Sequence, residues 1–213
     1  MSLSFKTIFN IFLVISVIVY LYNLIDSIPY SKGIADSSID ALNTPLQTLA
    51  DSKPIIIKTK QREYKIVPLA NYEISGMVVA KNLMFDGEEK NLGPIDLGII
   101  WGKFATKDYD KYVSYRSSQR WLTPHIKNDS VYDWDYIKVH SSHNHLIPAN
   151  KNVYNAVKGL RNKQKIKLTG YLISVNLDGR NIWSSSLSRD DWGDHSCEVM
   201  YVNKVQIDNN LYY

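Results

Sequence analysis

A run of 18 residues, Ile8 to Ile25, carries no charge and almost only apolar side chains. As a helix rising about 1.5 Å per residue it would be roughly 27 Å long, close to the hydrocarbon thickness of a bilayer. The run is apolar on every face, which makes a buried core helix of a soluble domain the weaker reading. Its β-branched residues disfavour helix in water, but in lipid a helix is the way for a single segment to satisfy its own backbone. A cleaved signal peptide is the competing reading. Its apolar core is shorter and ends at small residues, whereas Ser27-Ile28-Pro29-Tyr30 comes next here. The expectation is therefore one retained span, residues 1–27, with Tyr20 and Tyr22 near one headgroup boundary. Lys6 and the amino terminus precede the run and Asp26 succeeds it. That small basic excess favours a cytoplasmic N-terminus, an inner-membrane anchor and an extracytoplasmic domain, although Lys32 lies close on the other side.

Beyond the run the sequence is mixed polar and apolar. Residues 28–53 read as a linker rich in Ser, Asp and Asn and interrupted by Pro29 and Pro45, with the boundary near Pro54. Residues 54–213 are long enough to bury a core without staples. Cys197 is the only cysteine, so no intrachain disulfide can form. The formal net charge of +4 is too small to point to nucleic acid, which is not an expected partner. The expected partners are the membrane, through the N-terminal helix, and an envelope protein or ligand that the sequence does not name.

Period-two patterns dominate from Ile55 onward. Ile55 to Thr59, Tyr64 to Val67, Tyr72 to Ala80, Trp134 to Val139, Lys165 to Val175 and Cys197 to Ile207 read as strands, Asn181 to Ser186 as the return arm of a hairpin, and Ile95 to Trp101 as a short apolar segment ending at Gly102. Asp178-Gly179 supplies a hairpin turn, and Asp86-Gly87 reads as another. Asn150 to Leu160 is the best soluble helix, with Val153, Ala156, Val157 and Leu160 on one stripe and Asn150 or Asn152 as cap. The fold class expected is mainly β (α+β): one N-terminal transmembrane helix, then a small antiparallel barrel or sandwich with one helix. A barrel like those that bind oligonucleotides and oligosaccharides, the OB fold, is one option.

Two stretches could carry chemistry. In Ser141 to Ala149, His143 and His145 would share one face of a strand, a geometry that can offer two imidazoles to zinc or another transition metal. The simpler reading is a histidine bonded to backbone near Pro148, so no cofactor is expected, with zinc the candidate if there is one. In Ser184 to Glu198, Cys197 or a serine could be a nucleophile, with His195 as base and Asp191 or Asp194 as orienting acid. Ordinary turn chemistry explains the same residues more simply, with Cys197 as a small buried hydrophobe. Arg161, Lys163, Lys165 and Lys167 form a cationic edge, read as a solvated strand margin rather than a nucleic-acid face. Ser114 to Trp121 mixes cations and aromatics and could meet an anionic or sugar-like ligand.

Three segments taken together, Asp96-Leu97-Gly98-Ile99-Ile100-Trp101-Gly102, Ser142 to Ala149, and Ser186 to Gly193 with Cys197-Glu198, resemble a group of bacterial membrane-anchored proteins of unknown function. The resemblance spans about Tyr72 to Val202 and implies one N-terminal span with a compact soluble domain. It implies no activity. In that group a threonine often stands at the place of Trp192 and small residues at those of Asp194 and His195. This counts against His195 as a catalyst and leaves His145 and Asp191 as better candidates.

The resulting expectation is an extracytoplasmic binding or structural module of the envelope. Its contacts would be Trp101, Arg120, His145, Arg189 and Asp191, converging if the three segments line one end of a barrel. The competing expectation is an envelope hydrolase, metal-dependent or not, using His143, His145 and nearby carboxylates.

Overall fold

The structure, a computed structural model, describes residues 4–60, 62–84, 89–118, 120–188, 190, 193 and 196–213, with the backbone alone at 89 and 90. Helix α1 (Phe5–Asp26) is one helix long and apolar enough to cross a membrane, and none of its residues is buried against the rest of the chain. Ser4 caps it, its hydroxyl accepting from the Thr7 amide. Next come β1 (Gly33–Ile34), β2 (Leu46–Leu49), β3 (Ile55–Lys58) and β4 (Glu63–Leu83). After them stand α2 (Glu89–Leu92), β5 (Ile95–Ile100), β6 (Val113–Ser118), β7 (Trp121–Ile126) and α3 (Trp134–Val139). The chain ends with β8 (Ser141–Pro148), α4 (Lys151–Lys158), β9 (Lys165–Leu177), β10 (Arg180–Ser184), β11 (Glu198–Ile207) and β12 (Asn210–Tyr212). The domain is thus strand-rich with few helices, as the alternating patterns implied. Residues 28–53, read as a linker, carry β1, paired with β12, and β2, paired with β4, together with the buried Ile39 and Ala41.

Five strands close on themselves. β4 pairs β5, β5 pairs β8, β8 pairs β11, β11 pairs β9, and β9 pairs β4 again. Every step is antiparallel except β8 to β11, which is parallel. The long connection a parallel pair needs contains α4, β9 and β10. Inside the ring lie Ile95, Leu97, Ile99, Leu146, Leu168, Leu172 and Met200, all fully buried, and the apolar stripe of α4 (Val153, Val157) packs on this core. Asn150 caps α4 as the sequence suggested, accepting from the Val153 amide. Two close approaches fix the closure. A side chain at Gly170 would collide with the Tyr201 carbonyl of β11, and one at Gly76 would meet the Ile100 carbonyl at 2.5 Å.

Three local readings change. Tyr64–Val67 and Tyr72–Ala80 are parts of one 21-residue strand, β4, because Pro68 sits where the β4–β9 register shifts and costs no ladder bond there. Trp134–Val139, read as alternating strand, is helix α3: the Asp133 carboxylate accepts from the Tyr136 amide and caps it. The described residues also include the short helix α2 beside the one soluble helix expected. The Asp86-Gly87 turn lies outside the described residues.

The C-terminal end of α1 is tied to the domain. Asp26 pairs with Lys151, Asn155 Nδ2 donates to the Asp26 carbonyl at 2.9 Å, and Asn152 exchanges two hydrogen bonds with the Tyr30 backbone. The polar side of α4 therefore holds the exit of α1, which places the α4 end of the barrel toward that helix.

Candidate functional site

Alternation along β5 and β8 decides what the two faces of this strand pair carry. Ile95, Leu97 and Ile99 point into the barrel, so Asp96 and Gly98 point out. On β8, Leu146 points in, so His143 and His145 point out. The register sets Asp96 opposite His145 and Gly98 opposite His143. In the parallel β8–β11 pair Val199 stands opposite His145 and Glu198 opposite Asn144, which brings the preceding Cys197 alongside His143 on the same outer face. The chain between β5 and β8 folds over this face. The β6–β7 hairpin sets Leu122 against Gly98, where a Cβ would lie 2.7 Å from the Leu122 side chain. Arg120, at the hairpin turn with a φ of 64°, reaches in from the same hairpin. A left-handed arginine is a costly turn residue, and such strain is commonly kept where it aims a functional group.

The Asp96 carboxylate is fully buried. Its Oδ1 accepts from Arg120 Nη2 at 2.9 Å and from His145 Nδ1 at 2.7 Å. Arg120 Nη2 also lies 3.3 Å from His145 Nδ1. A guanidinium nitrogen can only donate, and so can the Nδ1–H that serves the carboxylate, so the two donors converge on one oxygen. In the neutral ring the lone pair of His145 is then on Nε2. Burial alone would raise the Asp96 pKa, but the hydrogen bond and field of His145 and the Arg120 guanidinium outweigh it and hold the carboxyl below its ordinary value. Arg120 lies over the Trp183 ring at 4.6 Å, and that ring is 5.2 Å from His145.

His143 continues the cluster. Its ring is 4.8 Å from that of His145, edge to face, and its Nδ1 is 3.7 Å from Cys197 Sγ. Burial, helped by the fields of His145 and Arg120, pushes its pKa down to about 4 against the pull of Asp96 and the Arg120 backbone. The ring is therefore neutral at pH 7. Its Nε2 is buried without a well-formed hydrogen bond, as is Asp96 Oδ2. His143, His145 and Cys197 each offer a donor atom within 4.8 Å of the others, a group that could hold a metal ion.

Two hollows flank the cluster. A small cavity of about 50 Å³ touches Trp101, Leu122, Ser142, His143 and Cys197. An open groove of about 610 Å³ is lined by Arg120, Trp121, His145, Asn181, Trp183 and Ser185. Trp121 and Cys197 border both.

Of the residues expected from sequence, Arg120 and His145 touch each other, Trp101 is buried on the small cavity beside His143, and Arg189 and Asp191 lie outside the described residues. So do Asp194 and His195, the proposed partners of a nucleophilic Cys197. Sequence reasoning did not single out Asp96 and Trp183 as part of this site, nor the pairing of Cys197 with His143. Asp96 does carry a signal, a lone carboxylate within the apolar run from Ile95 to Trp101. In the cationic edge, Lys163 pairs with Asp110 at 2.7 Å and Lys167 with Glu73 at 2.9 Å, as befits a solvated margin. No family model, curated protein or solved structure matches this chain.

Proposed function

We propose that this chain is a membrane-anchored, extracytoplasmic binding module built on an OB-type barrel, and that it takes a sugar-like ligand in the groove over β5 and β8. The five-stranded ring supports the barrel type. Its order is first, second, third, fifth, fourth, with a helix between the third and fourth strands. In such barrels ligands meet the face of the second and third strands and the loops after the first and fourth. Here those strands are β5 and β8, and the connections after the first and fourth strands set Gly93 against the Trp183 ring that lines the groove.

The observation that carries the reading is the groove's lining. Two indole rings, Trp121 and Trp183, stand with the Asn181 amide, the Ser184 and Ser185 hydroxyls and one guanidinium around a ligand-sized hollow. Rings that stack and short polar groups that hydrogen-bond suit a polyhydroxylated ring carrying an acidic substituent. The weak basic excess before α1 supports the extracytoplasmic side, where such ligands are found.

Titrating the full chain in detergent micelles with acidic envelope oligosaccharide fragments, monitored by indole fluorescence, tests this. Saturable binding that is lost in Trp183→Ala and kept in Ile56→Ala is the expected result. Equal binding by both variants, or none by the parent, would remove the reading. Protease added to spheroplasts should digest the domain; full protection would reverse the orientation.

A second reading, an envelope hydrolase using His143, His145 and the Asp96 carboxylate, is favoured by one observation, the packing of two imidazoles and a thiol beside the groove. It expects slow cleavage of the bound oligosaccharide that stops in His145→Ala while binding persists.

A further inference from the structure

We propose that His143, His145 and Cys197 form a zinc site, with Asp96 as the outer carboxylate that orients His145 and a fourth position open toward the groove. This site does not depend on the groove taking a sugar.

Four observations lead to it. The first is distance. Zinc bonds of about 2.0 Å to nitrogen and 2.3 Å to sulfur at tetrahedral angles place ligand atoms about 3.3–3.6 Å apart. Cys197 Sγ and His143 Nδ1 are already 3.7 Å apart, and the whole set of donors spans no more than 4.8 Å. Small side-chain rotations close the difference. The second is the tautomer of His145. Histidines that bind metal commonly donate their other ring N–H to a carboxylate, which fixes the ring and raises its basicity. Asp96 accepts that bond here at 2.7 Å, leaving Nε2 for a metal.

The third is the placement of His143: its ring, buried to 7% exposure, stands edge to face 4.8 Å from that of His145 on the same outer face. The fourth is cost. Holding two imidazoles and a thiol together on the outer face of a barrel, largely out of water, lowers stability unless a ligand draws on their lone pairs.

The donor set also speaks to the metal. Two imidazoles and a thiolate suit zinc and other borderline-soft ions and exclude magnesium and calcium, which take oxygen ligands. Three protein ligands among the described residues leave one tetrahedral position for water or a ligand atom, the arrangement of an open rather than a closed zinc centre. On binding, the Cys197 S–H bond is replaced by a sulfur–zinc bond and its proton passes to solvent, so affinity rises with pH. Cys197 borders both the small cavity and the groove, which gives the ion a path in.

The test uses the full chain in micelles, stripped with chelator and titrated with cobalt(II) as a spectroscopic stand-in, then with zinc in competition. One equivalent of cobalt should give a thiolate-to-metal charge-transfer band together with the intense visible absorption of a tetrahedral ion, and one equivalent of zinc should abolish both. Cys197→Ser should lose the charge-transfer band, and His145→Ala should lose tetrahedral binding. Asp96→Asn should keep the band with affinity lowered about 10–100-fold. Far-UV circular dichroism checks that each variant is folded. An unchanged spectrum in Cys197→Ser, or no charge-transfer band in the parent chain at stoichiometric cobalt, would overturn the proposal, and the parent titration decides this even if a variant fails to fold.

Discussion

The two faces of the β5–β8 pair are made of alternate residues of the same two strands, yet they obey opposite rules. Inward, Ile95, Leu97, Ile99 and Leu146 pack into a core with no exposed surface. Outward, Asp96, His143 and His145 are almost as deeply buried, but under the β6–β7 hairpin and the β10 strand rather than in the barrel. Burial is therefore not what separates them. The inner face gains from being dry. The outer face keeps charge and lone pairs out of water, which is favourable only while each has a partner. A chain selected for stability alone would place apolar residues on both faces, as parallel sheets covered on both sides do. The contrast supports the proposal that the outer face is the working one.

The sharpest break of this contrast comes from truncating each face in turn. Leu97→Ala should cost about 4 kcal/mol by opening a cavity in the closed ring, while leaving ligand and metal binding intact in the molecules that remain folded. Thermal unfolding in micelles by near-UV circular dichroism reads the loss. A cost under about 1 kcal/mol would mean the ring is not the core. Asp96→Ala should cost about 3 kcal/mol, because it leaves Arg120 and His145 buried against each other without their shared acceptor. Adding Arg120→Met to that variant should restore part of the loss. If the two costs simply add, the residues are not coupled.

Acid should act on the outer face first. The folded His143 ring takes its proton near pH 4, whereas an unfolded histidine does so near 6.5. Between those values the unfolded chain binds more protons, so the stability of the metal-free chain is full above about pH 6.5 and falls as pH drops toward 4, by at most about 3 kcal/mol. The Asp96 carboxyl, held below its ordinary value, contributes stability that is lost only further down, as pH falls through its folded pKa. His143→Gln should flatten the upper window and leave the lower one. A melting temperature independent of pH between 6.5 and 4 would contradict the buried neutral ring. The smallest effect expected is for Trp183→Ala, about 1 kcal/mol, since the ring covers Arg120 and His145 from the groove side.

How far the sequence reached depends on which contacts are local. The hairpin at Asp178-Gly179 was legible because both residues need positive φ, and they take 50° and 77°. Helix α4 was legible because its cap and its stripe lie within one short segment. Helix α3 was not, since Trp134 and Tyr136 imitate strand alternation and the only contrary sign is Asp133 as a cap. The pairing of His143 with His145 could be read from their spacing on a strand. The addition of Cys197 could not, because it depends on a parallel pairing between strands some fifty residues apart whose register no local pattern records. Asp96 could have been noticed as a charge in an apolar run, but its partner Arg120 comes from a hairpin folded back over the strand.

The claim that the outer β5–β8 face is the binding face can be tested most directly inside the cell. A photoreactive benzophenone amino acid would replace Ile182, on the groove rim, or Ile56, on β3, two positions of nearly equal exposure at 50% and 49%. After irradiation of cells carrying the full chain, the account predicts a discrete crosslinked species from Ile182 that disappears when Trp183→Ala is added, and none from Ile56. Identical adducts from both positions, or adducts from Ile56 alone, would contradict it.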